Sequence, residues 1–264
     1  MSAPGLFVDD LPSDSGDGAP LVVLVHGTMD RHSSFARVRS RLMASYHVVS
    51  YDRRGYAASR EVTPPARGMD DHVADLESVV DGRHCTLVGH SYGGTVVLAF
   101  AARHPELAAA VVAYEPPLAW LEHWPTQGAR QAPFAGVTPR QAAEAFLKRM
   151  IGAHRYERLP LKTREEVEKD GDALIAELTA IRNDPPPFEW SEVTSPVLIA
   201  RGEETANHHV DGVQLLVDKL PSASLRVIPG AGHGGHQSHP NEFSALVVEA
   251  VGLGQAASGD RPRF

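Results

Sequence analysis

Apolar residues fall into short unbroken runs, separated by longer stretches in which apolar and polar positions recur every three or four residues. The runs at 21–25, 47–51, 86–88, 109–114, 196–200 and 225–228 have the length and β-branched content of strands buried on both faces. Between them, 33–43 and 70–80 carry the helical period, 95–102 reads as a long apolar helix, and 241–251 as a closing helix. Ser33 or Ser34 stands where an N-cap belongs, residues 6–9 suit one short strand, and 13–18 is a loop by composition. This alternation predicts an α/β fold with a doubly wound, mostly parallel sheet, whose ligands lie beyond the carboxyl ends of the strands.

The alternation lapses between Pro116 and Trp190. Two prolines stop the strand there, and helical segments with their own start signals follow: Thr138-Pro139-Arg140-Gln141 has capping-box spacing, and Thr163 with Glu166 repeats it. The charged run 162–170 reads as a solvated helix face, and Asp184-Pro185-Pro186-Pro187 returns the chain to the sheet. The expected organisation is a core of 1–115 and 191–264 with a helical insertion at 116–190. Trp120, Trp124 and Trp190 lie in or beside the insertion, suited to packing its own small core or lining an apolar pocket beneath it.

One corner carries the chemistry. Strand 86–88 enters Gly89-His90-Ser91-Tyr92-Gly93 and leaves as a helix, the strand–turn–helix setting that a G-x-S-x-G motif requires. A turn this sharp strains the central residue and leaves its flanking positions no room for a Cβ, so Ser91 projects at a helix N-terminus where developing negative charge is favoured. A serine hydroxyl needs a base, and the base needs a carboxylate to fix its tautomer.

With these motifs in this order the chain resembles the α/β-hydrolase superfamily over nearly its whole length. The resemblance implies a lid at the insertion, placed after the sixth strand in the family's count. It implies Ser91 as nucleophile, His233 in Gly230-Ala231-Gly232-His233 as base, and an oxyanion hole from the N–H groups of Thr28, after His26-Gly27, and of Tyr92. His26 reads better as a ring propping its loop, and His236 and His239 as solvent-facing or loop-bracing. Asp52-Arg53-Arg54-Gly55-Tyr56-Ala57-Ala58-Ser59 looks like the family's D-x-R-G-x-G-x-S turn, with Ala57 for the second glycine and an Asp52–Arg54 pair expected to tie the loop down. The third catalytic member departs from the pattern. The family's Gly-x-x-Asp reads Gly202-Glu203-Glu204-Thr205 here. The acid is therefore Glu115, at the end of the preceding strand as in some relatives, or Glu204 or Glu203 reaching inward, or absent; Glu115 is preferred.

Composition narrows the partners. The chain has 264 residues, a net charge of −8 and no basic cluster, which argues against nucleic acid or an anionic membrane surface. No 18-residue apolar stretch or basic leader stands in it, so a cytoplasmic location is the default. Cys85, the one cysteine, suits a buried strand head. The expected activity is a cofactor-free, metal-free serine hydrolase acting on a small to medium, partly apolar ester, thioester or related acyl substrate. A serine at this position argues against haloalkane dehalogenase and epoxide hydrolase chemistry, which need an aspartate nucleophile there. A carbon–carbon bond hydrolase, an auxiliary biosynthetic hydrolase or cyclisation helper, and a non-catalytic binding protein using the pocket as a receptor are the rivals.

Overall fold

The computed structural model describes residues 5–259 apart from 17, 63, 122–123, 125–133 and 135. In chain order the core runs β1 (Val8–Leu11), β2 (Leu21–Val25), a 3-10 turn (His32–Phe35), α1 (Ala36–Leu42), β3 (His47–Tyr51), α2 (Met69–Val80), β4 (Cys85–His90), α3 (Tyr92–Arg103) and β5 (Ala108–Tyr114). Four helices follow: α4 (Pro139–Ile151), α5 (Ala153–Glu157), α6 (Leu161–Glu168) and α7 (Gly171–Asn183). The core resumes with β6 (Val197–Gly202), α8 (Asn207–Lys219), β7 (Ala223–Ile228), α9 (Gly235–Ser238) and α10 (Pro240–Ser258).

The strands form one seven-stranded sheet in the order β1-β3-β2-β4-β5-β6-β7, parallel except for β1 against β3. Because side chains alternate across a strand, Val23 and Val25 of β2 join the core under α2, α3 and α8, while Val22 and Leu24 join the core under α1 and α10. Both faces are covered, which is why these strands read as continuous apolar runs. The crossovers place the ends of β2, β4 and β5 side by side, and with them Thr28, Ser91 and Glu115.

A third, smaller cluster joins Ala142, Ala143 and Leu147 of α4 to Tyr156, Ala173 and Leu174, and reaches the sheet through Met29 and Tyr56. The α4 capping box is present: Gln141 N–H donates to Thr138 Oγ1 at 3.3 Å, and the Thr138 N–H to Gln141 Oε1 at 2.9 Å.

Several sequence expectations need correction. Counted along this sheet the helical insertion follows the fifth strand. The first strand starts at Val8. Ser33 and Ser34 cap nothing, since Ser34 Oγ donates to Asp30 Oδ2 at 2.9 Å. Asp52 and Arg54 do not pair: Arg54 takes Asp75 in a two-pronged bond at 2.9 and 2.7 Å, and Asp52 accepts the N–H groups of His32 and Ala58 at 2.8 and 3.0 Å. Thr163 lies inside α6, whose N-cap is Pro160. The charged run is not uniformly solvated, because Glu168 and Asp170 are buried against Tyr156 and Arg60. Trp120, Trp124 and Trp190 pack on the main core and not in the insertion's cluster. The chain stays helical to Ser258; the rest of the expected tail, 260–264, lies outside the described residues, as do 1–4 and most of 122–135.

Candidate active site

Ser91 sits between β4 and α3 at φ 52° and ψ −125°, a strained backbone for a residue with a Cβ. The turn closes because of its neighbours. A Cβ on Gly89 would fall on the Gly93 carbonyl, and one on Gly93 on the Val25 carbonyl. Ser91 N–H donates to Tyr114 O at 2.8 Å and Gly94 N–H to Ser91 O at 2.7 Å, which fixes the corner against the end of β5. The Ser91 side chain makes no hydrogen bond among the described residues. It opens with Thr28 and His233 into a cavity of about 1010 Å³ whose apolar wall includes Phe146 and Leu147 of α4.

Glu115 follows β5 directly, at φ 47°, and is fully buried. Its Oε1 accepts the Gly202 N–H at 2.8 Å; its Oε2 accepts Thr205 Oγ1 at 2.8 Å and His233 Nδ1 at 2.6 Å. A carboxylate only accepts, so Nδ1 is the donor in this bond and carries a proton, leaving Nε2 as the nitrogen that can face Ser91. Burial pushes the Glu115 carboxyl up, but the hydrogen bond and charge of His233, with help from His209 and the Gly202 N–H, outweigh it and hold the group below its ordinary value. Glu203 and Glu204 go elsewhere. Glu203 accepts the Gly230 N–H at 2.9 Å, and Glu204 is tied by its backbone N–H to Ala231 O at 2.8 Å.

The loop carrying His233 is braced from three sides. Tyr114 OH donates to Gly232 O at 2.7 Å, His90 Nε2 donates to His233 O at 2.8 Å, and the His209 ring lies on the His233 ring at 4.6 Å and 17°. Burial, with the neighbouring His233, pushes His209 down to about 3, so it stacks as a neutral ring. His236 is not solvent-facing: it is buried beside His90, with Nε2 3.5 Å from Asp30 Oδ2. His239 is bonded to Ser238 Oγ at 2.8 Å. Two groups, Asp30 with His90 and His236, and Glu115 with His209 and His233, have the donor types of a cation site. The second already uses its atoms on the Glu115–His233 bond.

Across the cavity, His26 props its loop as a neutral ring. Its Nδ1 donates to Gly27 O at 2.8 Å, its Nε2 accepts the Arg53 N–H at 2.8 Å, and burial with the Arg53 charge pushes it down to about 4. The Thr28 and Tyr92 N–H groups have no acceptor among the described residues. Three neighbours escape a sequence reading. Thr205, standing where the family has its acid, turns out to donate to the carboxylate that meets the histidine, and His209 lies four positions beyond it, in the first turn of α8. Glu177, on α7, accepts Thr28 Oγ1 across 149 positions, a separation no local pattern signals.

The sequence profile of the alpha/beta hydrolase family matches residues 22–246. The chain belongs to this family. It is 28% identical over 253 residues to the 2-(acetamidomethylene)succinate hydrolase of Mesorhizobium japonicum, covering 89% of this chain and 87% of that one. It is 29% identical over 255 residues to the pimeloyl-[acyl-carrier protein] methyl ester esterase of Chromobacterium violaceum, covering 92% and 97%. Among solved structures, a thermophilic esterase from Thermogutta terrifontis superposes with a TM-score of 0.75 at 20% identity over 94% of both chains, a likeness of fold. These relatives of this alpha/beta hydrolase are thus themselves hydrolases, one of them a methyl ester esterase, and no helix among the described residues is long and apolar enough to cross a membrane.

Proposed function

We propose that the chain is a serine hydrolase that cleaves a small to medium, partly apolar ester, thioester or related acyl compound through an acyl-enzyme on Ser91. The observation that carries this reading is the 2.6 Å bond from His233 Nδ1 to a buried Glu115, on a loop that shares the Ser91 cavity. Glu115 holds the tautomer in which Nε2 is a base. Ser91 Oγ bonds to the acyl carbon as its proton passes to His233 Nε2, and the same proton then leaves on the departing alcohol or thiol. Water repeats the exchange to release the acid. The acyl oxygen, negative in each tetrahedral intermediate, accepts from the N–H groups of Thr28 and Tyr92. Catalytic hydrogen bonds to the nucleophile commonly tighten only once substrate is bound, so the unbonded Ser91 hydroxyl accords with this scheme. Helices α4 to α7 act as the lid, and α4 supplies the apolar wall. No step needs a metal or cofactor. With Glu115 against His233, the receptor reading loses the missing acid that favoured it.

A panel of p-nitrophenyl esters of varied chain length, run beside a fluorophosphonate label, tests the proposal. We expect labelling at Ser91 and turnover of at least one ester, both abolished in Ser91→Ala, with the circular-dichroism spectrum unchanged because one exposed oxygen is lost and no buried volume. Unchanged turnover in that variant would remove Ser91 from the mechanism.

A further inference from the structure

The loop His26-Gly27-Thr28 has no regular structure to hold its carbonyls; the Gly27 carbonyl accepts from the His26 ring at 2.8 Å, and both the His26 and Gly27 carbonyls are held by one member of a buried ion pair. Arg53 Nε donates to His26 O and Nη2 to Gly27 O, both at 2.9 Å, while Nη1 donates to Glu177 Oε2 at 2.6 Å. The other oxygen of Glu177 accepts the Thr28 hydroxyl. Arg53 and Glu177 are 0% and 1% exposed at the side chain, and His72 Nε2 stands 3.7 Å from Glu177 Oε2. One oxygen of this carboxylate is therefore committed to Thr28 and the other to the Arg53 that holds the two residues before it, although Glu177 itself lies on α7 of the helical insertion.

We propose that Glu177 is a positioning residue for the acyl-oxygen site: from the insertion it sets the direction of the Thr28 N–H, directly through the Thr28 hydroxyl and indirectly through Arg53 and the carbonyls of His26 and Gly27. This rests on the reading of Thr28 N–H as half of the oxyanion hole. The physical basis is that an N–H stabilises a developing oxyanion only where it is already aimed, and a displacement of a fraction of an ångström lowers the rate without lowering ground-state affinity. Thr28 alone cannot fix that aim, because it sits in a turn beside Met29 at φ 55° and its N–H has no acceptor of its own among the described residues. The ion pair also links the two bodies that enclose the cavity, so the wall from α4 and the oxyanion loop keep one relative position.

The experiment uses the full chain and a fluorophosphonate, whose phosphonyl oxygen occupies the same hole and which requires no knowledge of the substrate. Saturation of the labelling rate separates the limiting rate from the half-saturating concentration. Thr28→Val, which removes the hydroxyl at nearly equal size, is expected to cut the limiting rate about tenfold and move the half-saturating concentration less than threefold. Thr28→Ser should stay within threefold of wild type on both. Glu177→Gln should behave like Thr28→Val, or worse, since it also strips the buried Arg53 of its counter-charge; if Glu177→Gln fails to fold, the two Thr28 variants decide the matter alone. A Thr28→Val protein that labels at the wild-type rate, or a loss that Thr28→Ser does not rescue, overturns the proposal. Ser91→Ala run in parallel separates the levels: turnover surviving there brings down the hydrolase reading and this inference with it, whereas abolished turnover beside an unaffected Thr28→Val brings down this inference only.

Discussion

Glu115 holds its position through three donors, and two of them share one oxygen. Thr205 Oγ1 and His233 Nδ1 both donate to Oε2, while the Gly202 N–H holds Oε1. A carboxylate accepts at both oxygens at once; an amide in its place turns its NH2 either against the Gly202 N–H or against the Thr205–His233 pair, the first leaving two donors face to face and the second favouring the wrong imidazole tautomer. Glu115→Gln should therefore keep the fold and lower kcat by about 10⁴-fold, the order found for other triad carboxylates. Glu204→Gln, at an exposed position, should change kcat less than twofold. Steady-state rates on the best ester of the panel check both, and the opposite ranking would return the acid to the loop after β6. The sequence makes Glu115 a candidate because it ends a strand and prolines hold it there; it cannot show that Thr205 is what steadies the carboxylate, since that bond joins residues 90 positions apart. Arg54 illustrates the same limit: the local motif suggests Asp52, and the fold supplies Asp75 from α2.

At the scale of elements, strand identities are legible for the inner strands β2 to β6, because both their faces are buried and nearly every residue is inside, whereas the edge strands β1 (Val-Asp-Asp-Leu) and β7 carry polar and exposed positions. Capping is less legible. Thr138 and Gln141 form the box their spacing suggests, whereas the same spacing at Thr163 falls inside α6 because Pro160 has already started that helix. Glycines separate by the room around them. Gly93 has the Val25 backbone where a Cβ would go, and backbone cannot yield as a side-chain end can. Gly93→Ala should cost at least about 3 kcal/mol or abolish folding. Gly252, exposed on α10 with nothing within 4 Å of a built Cβ, lies in a helix where glycine is the costlier residue. Gly252→Ala should stabilise by about 0.5 to 1 kcal/mol. Urea unfolding midpoints measure the contrast, and a neutral Gly93→Ala would mean that the turn at Ser91 is not as tight as drawn.

The whole molecule carries an acid sensitivity that follows from its buried rings. Burial, with Arg53 nearby, lowers His26 to about 4 and His72 well below its ordinary value; burial beside charged neighbours lowers His209 to about 3 and His90 likewise far down. In the unfolded chain each would titrate near 6.5. Between that value and the folded one, the unfolded state binds protons that the native state refuses, so stability is fully present above pH 6.5 and declines as pH falls. Each such ring contributes a slope of up to about 1.4 kcal/mol per pH unit once the pH is below 6.5. Glu115 acts in the same direction but in a lower window: its depressed carboxyl contributes above its ordinary value of 4.5 and loses that contribution as pH falls through the folded value. Asp170 opposes them, since burial raises its carboxyl from 3.8, yet it is one group against several. The sequence pI is about 5.9, so the net charge passes through zero within the same range and overall repulsion is weak there; a loss of stability from pH 7 to 5 does not come from it. Chemical unfolding at pH 7, 6 and 5 should give a free energy that falls by more than 1.4 kcal/mol, about one proton's worth, in the last unit. A flat profile from pH 7 to 5 would mean that the rings are charged in the fold, and the neutral, stacked His209 that steadies His233 would go with it.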